Sequence, residues 1–413
     1  MSRAPRVLFV SYGGGHIGMV LPVIRELEAL LPGVQCDLLA LTTGHLKAKA
    51  VRPDTLGYKD FLHLVDADAA RSWGERLVEG NTSPDVPMDE TIAYLGINYL
   101  DLIAQHGEAG AAELYRSQGR YCFRPLHFMR RVMDVLQPDA VVATNSPRSE
   151  RAALDVGAER GIATVGMVDL FGQDSDTFVF HTPRPTWTCV ISERVRQRLV
   201  SKGFLAERVV VTGNPAFDNL FLDESARAAQ RFLIERGWTE YVPILWAGHL
   251  EAPTTADPAL AGHLLAMKVE RQLREYVQTR DRLALIVRYH PSQWHLFPRQ
   301  PEQERVYFSI PSKDPIHSII LASGVVVVQN STVGLESSIA GRPVVSLEFA
   351  ESVRESFSLA ELGVSIPCSD LAGLTAIIDH ALSQSADHSS EYASDGNSAR
   401  RVADVVKKSI LPN

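Results

Sequence analysis

Residues 11–18 read Ser-Tyr-Gly-Gly-Gly-His-Ile-Gly, between an apolar run, Val7 to Val10, and a helical pattern over residues 19–31. A strand, a glycine-rich turn and a helix opening in succession constrain the fold more than any other feature, because a parallel α/β layer is built from that order. The same order makes a site for a phosphate or a sugar nucleotide. Glycines such as Gly14 and Gly15 let the backbone approach an anionic ligand closely, and the unpaired N–H groups at a helix start favour negative charge. His16 puts a side chain able to take up or release a proton where that ligand would sit.

Short β-branched apolar runs continue to alternate with helical patterns, as parallel layering requires. In the first half strands are expected at 7–10, 36–41, 140–144, 163–168, 187–191 and 209–212, and in the second at 243–246, 283–289, 324–329 and 343–347. The alternation stops over about 65–137, where mostly helical sequence forms an insertion too long for a simple connection. A chain of 413 residues exceeds what one core supports, so two domains are expected. The boundary falls near residue 220, giving a first domain over 1–220 and a second over 221–413, with a loop over 383–397 before a last helix at 398–410. The fold class is α/β, two Rossmann-like domains facing each other across a cleft.

A formal charge of −8 gives no general pull toward nucleic acid. No apolar stretch is long enough to span a bilayer, and the N-terminus runs into the first strand without a secretory apolar region. The four cysteines, Cys36, Cys122, Cys189 and Cys368, have no paired spacing, which reads as reduced thiols in a cytoplasmic protein.

Gly13-x-Gly15-x-x-Gly18 formally matches a dinucleotide fingerprint, but that reading needs an acidic residue ending the second strand. Here the strand ends in Thr42-Thr43, and no Gly-x-x-x-x-Gly-Lys-Ser/Thr loop occurs. No nicotinamide or other cofactor is expected. A second constellation runs from Gln329 through Asn330, Ser331 and Thr332 to Glu336, after a buried strand. Ser331, Thr332 and the helix-start amides suit a diphosphate, and Glu336 suits a ribose diol. Ser331 equally suits a helix cap, with Glu336 stabilising the first turn. A third, Arg288-Tyr289-His290-Pro291, holds His290 at the carboxyl edge of a strand, where open α/β sheets bind ligands. His249, after the first strand of the second domain, occupies a similar edge.

These motifs resemble a known group. The Gly13–His16 turn followed by a helix containing Pro22 resembles the N-terminal signature of GT-B glycosyltransferases, including the transferase that adds N-acetylglucosamine to the lipid-linked peptidoglycan precursor. The segment Val210 to Asp218, with Asn214, is similar to the inter-domain segment of the non-hydrolysing UDP-N-acetylglucosamine 2-epimerases. His290-Pro291 and the Asn330–Glu336 loop also resemble those epimerases and bacterial transferases of surface polysaccharide assembly. The resemblance implies a nucleotide-sugar donor with its diphosphate on Ser331 and Thr332, its ribose on Glu336 and its nucleotide or phosphate against His290. It implies that His16 faces the cleft as general base of an inverting transfer, with no metal required. The donor is UDP-linked by preference, with a CMP-linked sugar as the alternative.

Departures keep other readings open. The epimerases carry a Gly-Thr-Arg-Pro-Glu-like turn and several acidic residues in the first domain, whereas this chain has Gly13–His16 and Asn145-Ser146-Pro147-Arg148. Asp169, after the next strand, is a second candidate base, or a strand-end turn residue. Epimerase chemistry is the runner-up, and a scaffold that binds a nucleotide sugar without turnover is the third reading. The stretch Tyr115 to Arg131 mixes arginines with aromatics. It suits an acidic glycan, or an anionic inner-membrane surface holding a lipid-linked acceptor; an ordinary helix that buries its aromatics is favoured over both. The sugar, the acceptor and the oligomeric state are not legible.

Overall fold

The computed structural model describes residues 3–83, 86–174, 178–383, 392 and 395–411. The chain divides into two compact units, Met1–Ala216 with Asn397–Asn413, and Phe217–Gly396. Among the described residues no helix is long and apolar enough to cross a membrane.

The first unit is built on six strands, β1 (Arg6–Tyr12), β2 (Gln35–Leu41), β3 (Ala140–Thr144), β4 (Ala163–Met167), β5 (Trp187–Val190) and β6 (Val209–Val211). Their order in the sheet is β2-β1-β3-β4-β5-β6, and every pairing is parallel. Side chains alternate across a strand, so the apolar run of β1 supplies both faces. Val7 and Phe9 pack with the helix Gly13–Leu30 on one side, while Leu8 and Val10 meet the helical insertion on the other. That insertion lies between β2 and β3 and contains the helices Ala67–Leu77, Met88–Gln118 and Leu126–Leu136. Gly96 lets the first two of these helices meet closely, since a Cβ there would lie 1.7 Å from the Ala70 carbonyl oxygen.

The second unit holds β7 (Val242–Gly248), β8 (Leu283–Tyr289), β9 (Val306–Phe308), β10 (Val325–Val328), β11 (Val344–Leu347) and β12 (Ile366–Cys368), in the all-parallel order β12-β11-β10-β7-β8-β9. Ile244, Trp246, Leu285, Val287, Val325 and Val327 form one apolar face, covered by the helices Leu264–Gln278 and Leu374–Ser383. In each sheet the strand order reverses once, between β1 and β3 and between β7 and β10. Ligands of open α/β sheets bind beyond the carboxyl ends of the strands at that reversal.

Two features differ from the sequence reading. The strands β9 and β12 were not expected: each is a three-residue edge strand, too short to give an apolar run, and β12 carries Pro367, which an edge tolerates. The last helix, Ser398–Ile410, was grouped with the second domain but packs in the first unit. Ala399, Val402, Ala403 and Val406 recur at three- and four-residue spacing and bury against the helix Gly13–Leu30 and its sheet face. Arg401 Nε donates to the Thr212 carbonyl at 2.7 Å. Most of the loop expected over 383–397 lies outside the described residues.

Candidate functional site

The first unit assembles its polar residues at the reversal between β1 and β3. The helix after β1 begins at Gly13, without the longer turn expected from sequence. Gly13 adopts φ +70°, which L side chains rarely take. Gly14 and Gly15 therefore stand in the first helical turn, and the Lys47 ammonium lies beside Gly14, where a Cβ would be 2.6 Å from Nζ. Its positive charge adds to that of the helix start.

His16 is held by residues from two other strand ends. Its Nδ1 lies 2.9 Å from Thr144 Oγ1, and its Nε2 lies 3.3 Å from Asp169 Oδ2. The threonine hydroxyl both donates and accepts, so it orients the ring in either tautomer. The Asp169 carboxylate only accepts, so it favours a proton on Nε2 and stabilises the imidazolium formed when the ring takes up a second one. Asp169 is fixed through its backbone: its N–H donates to Asn145 Oδ1 at 3.0 Å, and its carbonyl accepts from Asn214 Nδ2 at 3.1 Å.

Behind His16 lies Glu150, the second residue of the helix Ser149–Glu159. It is fully buried, and desolvation pushes its carboxyl up to about 7, against the opposing pull of backbone N–H groups, His16 and Arg148. The Arg148 guanidinium stacks 3.8 Å over the Tyr12 ring. Arg148 and Thr42 hold φ of 71° and 50° without being glycine, and backbone strain of this kind concentrates at functional sites.

The second unit repeats the arrangement at the reversal between β7 and β10. His249 Nε2 lies 2.9 Å from Asn330 Oδ1, and its Nδ1 lies 3.0 Å from the Leu250 carbonyl. Asn330 Nδ2 donates to the Ser352 carbonyl at 2.6 Å, which fixes its Oδ1 toward the ring. Both ring nitrogens thus lie within hydrogen-bond distance of a carbonyl-type oxygen, which holds the ring in place. Behind them the buried Glu251 accepts from Gln329 Nε2 and, at 2.8 Å, from the Ser352 N–H and hydroxyl. Gln329 Oε1 in turn accepts from the His249 N–H at 2.9 Å. His290 Nδ1 bonds the Ser292 hydroxyl at 2.9 Å, and the His290 pKa is lowered by desolvation and then by neighbouring His249.

No protein-family model and no curated protein sequence matches the chain, whereas solved structures match along its whole length. A UDP-GlcNAc 2-epimerase from Methanocaldococcus jannaschii is 13% identical with a TM-score of 0.60, covering 97% of this chain and 99% of the other. The UDP-GlcNAc 2-epimerase from Neisseria meningitidis, bound to UDP-GlcNAc, is 14% identical at 0.58 over 98% and 100%. A glycotransferase of kitacinnamycin is 12% identical at 0.53 over 99% and 100%. The chain has the GT-B fold.

Within this GT-B chain the expected residues fall into three groups. His16 and Asp169 come together in the first unit, and His249 and Asn330 in the second with His290 nearby. Ser331 caps the helix Thr332–Ile339 by accepting from the Val333 N–H at 3.3 Å, with Thr332 as that helix's first residue. The side chains of Asn214, Arg288 and Glu336 are engaged inside their own units. Besides holding Asp169, Asn214 accepts from the Ala216 N–H at 2.9 Å. The buried Arg288 donates to Ser309 Oγ and the Asp314 carbonyl, at 2.8 and 2.9 Å. Glu336 was expected to stand open to a ribose; it is 9% exposed, and its Oε2 lies 3.4 Å from His317 Nε2.

Thr144, Glu150, Lys47 and Glu251 are not singled out by the sequence, and Gln329 enters there only as the start of the stretch that runs to Glu336. The one available signal was position: Thr144 is the last residue of β3, and Gln329 directly follows β10. Burial of Glu150 and Glu251 has no sequence signature, because both sit in polar surroundings where an acidic residue is ordinarily solvated.

Proposed function

We propose that the chain is a nucleotide-sugar-dependent glycosyltransferase that uses His16 as its general base. The observation that carries the reading is the placing of His16 between Thr144 Oγ1 and Asp169 Oδ2. A base oriented by a hydroxyl and backed by a carboxylate is the arrangement proton abstraction from an alcohol requires. In this reading the acceptor hydroxyl takes the place of the Thr144 hydroxyl at Nδ1, the nitrogen left unprotonated when Asp169 holds the proton on Nε2. It gives its proton there while its oxygen bonds the anomeric carbon from the face opposite the nucleotide. The bond from that carbon to the phosphate oxygen breaks with its electrons going to the diphosphate, and the configuration inverts. Within the second unit, the amides starting the helix Thr332–Ile339 suit a diphosphate. The structural relatives named for UDP-GlcNAc favour a UDP-linked donor. The acceptor in this reading is a glycan, a lipid-linked sugar or a small molecule.

A second reading rests on Glu150. With Asp169 it gives the first unit two carboxyl groups near one histidine, and a carboxyl titrating near 7 suits removal and return of a proton on a bound sugar. That is epimerase chemistry. Incubating the chain with UDP-GlcNAc, with and without a panel of sugar acceptors, separates the readings. Release of UDP that depends on acceptor supports transfer. A changed sugar configuration without acceptor supports epimerisation, and binding without turnover supports neither.

A further inference from the structure

The first unit contains a cavity that none of these roles uses. Its volume is about 180 Å³, and its wall includes Thr42 and Thr43, which follow β2 and open the next helix, Thr82, Thr91 from the helix Met88–Gln118, Tyr12 and Arg120. That is below the roughly 300–1,000 Å³ of pockets taking drug-sized ligands, so it suits one monosaccharide-sized molecule. Hydroxyls that both donate and accept, beside an aromatic ring, are groups that recognise a polyol. The Thr91 hydroxyl donates to the Pro87 carbonyl at 3.2 Å and keeps its capacity to accept.

The charge in the wall is what narrows the ligand. Glu90 also lines the cavity, but its two oxygens accept from the Tyr58 and Lys59 N–H groups at 2.6 and 3.2 Å. The arginines near and within the basic, aromatic stretch over 115–131 are otherwise engaged. Arg116 pairs with Glu113, Arg124 with Asp155 and Arg130 with Glu159, and Arg131 donates to the Leu64 carbonyl. Arg120 has neither an ion pair nor a side-chain hydrogen bond among the described residues, and it stands in the cavity wall. A guanidinium left without a carboxylate beside a row of hydroxyls is a receptor for an anionic group.

We propose that this cavity binds one small acidic sugar, its carboxylate or phosphate on Arg120 and its hydroxyls on the threonines. Its role as second substrate rests on the transferase reading, whereas the binding itself does not.

Calorimetric titration of the full chain with glucuronate, glucose 6-phosphate and glucose tests this, with UDP titrated in parallel. Saturable binding of at least one anionic sugar is expected, with glucose at least tenfold weaker. Arg120→Gln should weaken the anionic sugar at least tenfold while leaving glucose and UDP unchanged, and Arg120→Lys should restore part of the loss. Binding of UDP with no saturable binding of either anionic sugar overturns the cavity site and leaves the nucleotide reading standing. Anionic sugar binding without UDP binding supports the cavity and overturns the nucleotide reading. Equal affinity for glucose and the acids, or acid binding indifferent to Arg120→Gln, overturns the proposal.

Discussion

His249 Nε2 lies 2.9 Å from Asn330 Oδ1, a bond that joins the carboxyl edges of β7 and β10 where the second sheet reverses. The first sheet has the same device, with His16 Nδ1 at 2.9 Å from Thr144 Oγ1 across β1 and β3. Each unit therefore sets a histidine after its first strand and ties it to a polar residue ending or following the strand across the reversal. Beside each pair a helix begins, so a histidine side chain and helix-start amides share one edge.

Replacing His16 by alanine should lower turnover by about 10²–10⁴-fold, the contribution typical of a positioned acid or base. Nucleotide affinity should stay within about twofold, because the donor in this reading is held around His249, Asn330 and Ser331. Steady-state rates with UDP-GlcNAc and whichever acceptor of the panel supports UDP release, alongside UDP titration, measure both. Near-normal turnover would move the role of base to Asp169 and favour epimerase-like chemistry.

Asp169→Asn keeps the shape at 3.3 Å from His16 but removes the charge that stabilises a protonated ring. Turnover should fall on the order of 10²-fold or more. Groups that act as one unit are not additive, so the variant carrying both His16→Ala and Asp169→Asn should match His16→Ala within a few-fold. Multiplying losses would show that the two residues act separately.

The strands at the centre of each sheet were legible because a parallel strand buried on both faces reads as a continuous apolar run, as Val7 to Val10 and Val325 to Val328 do. Histidines at strand ends were legible for the same reason, since the run marks where the edge lies. Their partners were not. Thr144 follows His16 by 128 residues, and only the strand order brings them together. The capping role of Ser331 and its fitness for a phosphate look identical in sequence, because both use a hydroxyl at a helix start. Thr42 and Arg148 carried no sign of their left-handed backbone, which ordinarily announces itself as glycine. Ser398–Ile410 was legible as a helix, but its destination depended on which apolar face was left uncovered, and a chain order cannot show that.

The pair His249 and Asn330 should behave as one element in nucleotide binding. Either alanine substitution should weaken UDP by roughly 1–3 kcal/mol, the range for losing a hydrogen bond to a charged group. The double variant should lose less than the two singles together, because removing one partner already frees the other. Isothermal titration of the four proteins measures the coupling. A coupling within about 0.3 kcal/mol of zero would mean that the bond does not orient a binding group.

Glu150 should make stability depend on pH in a direction set by its burial. Its carboxyl is raised from the ordinary 4.5 to about 7 in the folded chain, so the folded state holds the proton more tightly than the unfolded state. The stability linked to that proton is fully present below about pH 4.5 and is lost as pH rises through about 7, because the ionised form must then stay buried. At about 1.4 kcal/mol per pH unit, the full loss is on the order of 3 kcal/mol. Glu150→Gln keeps the size and removes the titration. The variant should unfold together with the wild type at pH 4.5, and be more stable at pH 8 by roughly 1–3 kcal/mol. Urea unfolding of both proteins at the two pH values checks it. A difference that does not change between them would mean that Glu150 keeps an ordinary carboxyl, which removes the support for the second reading.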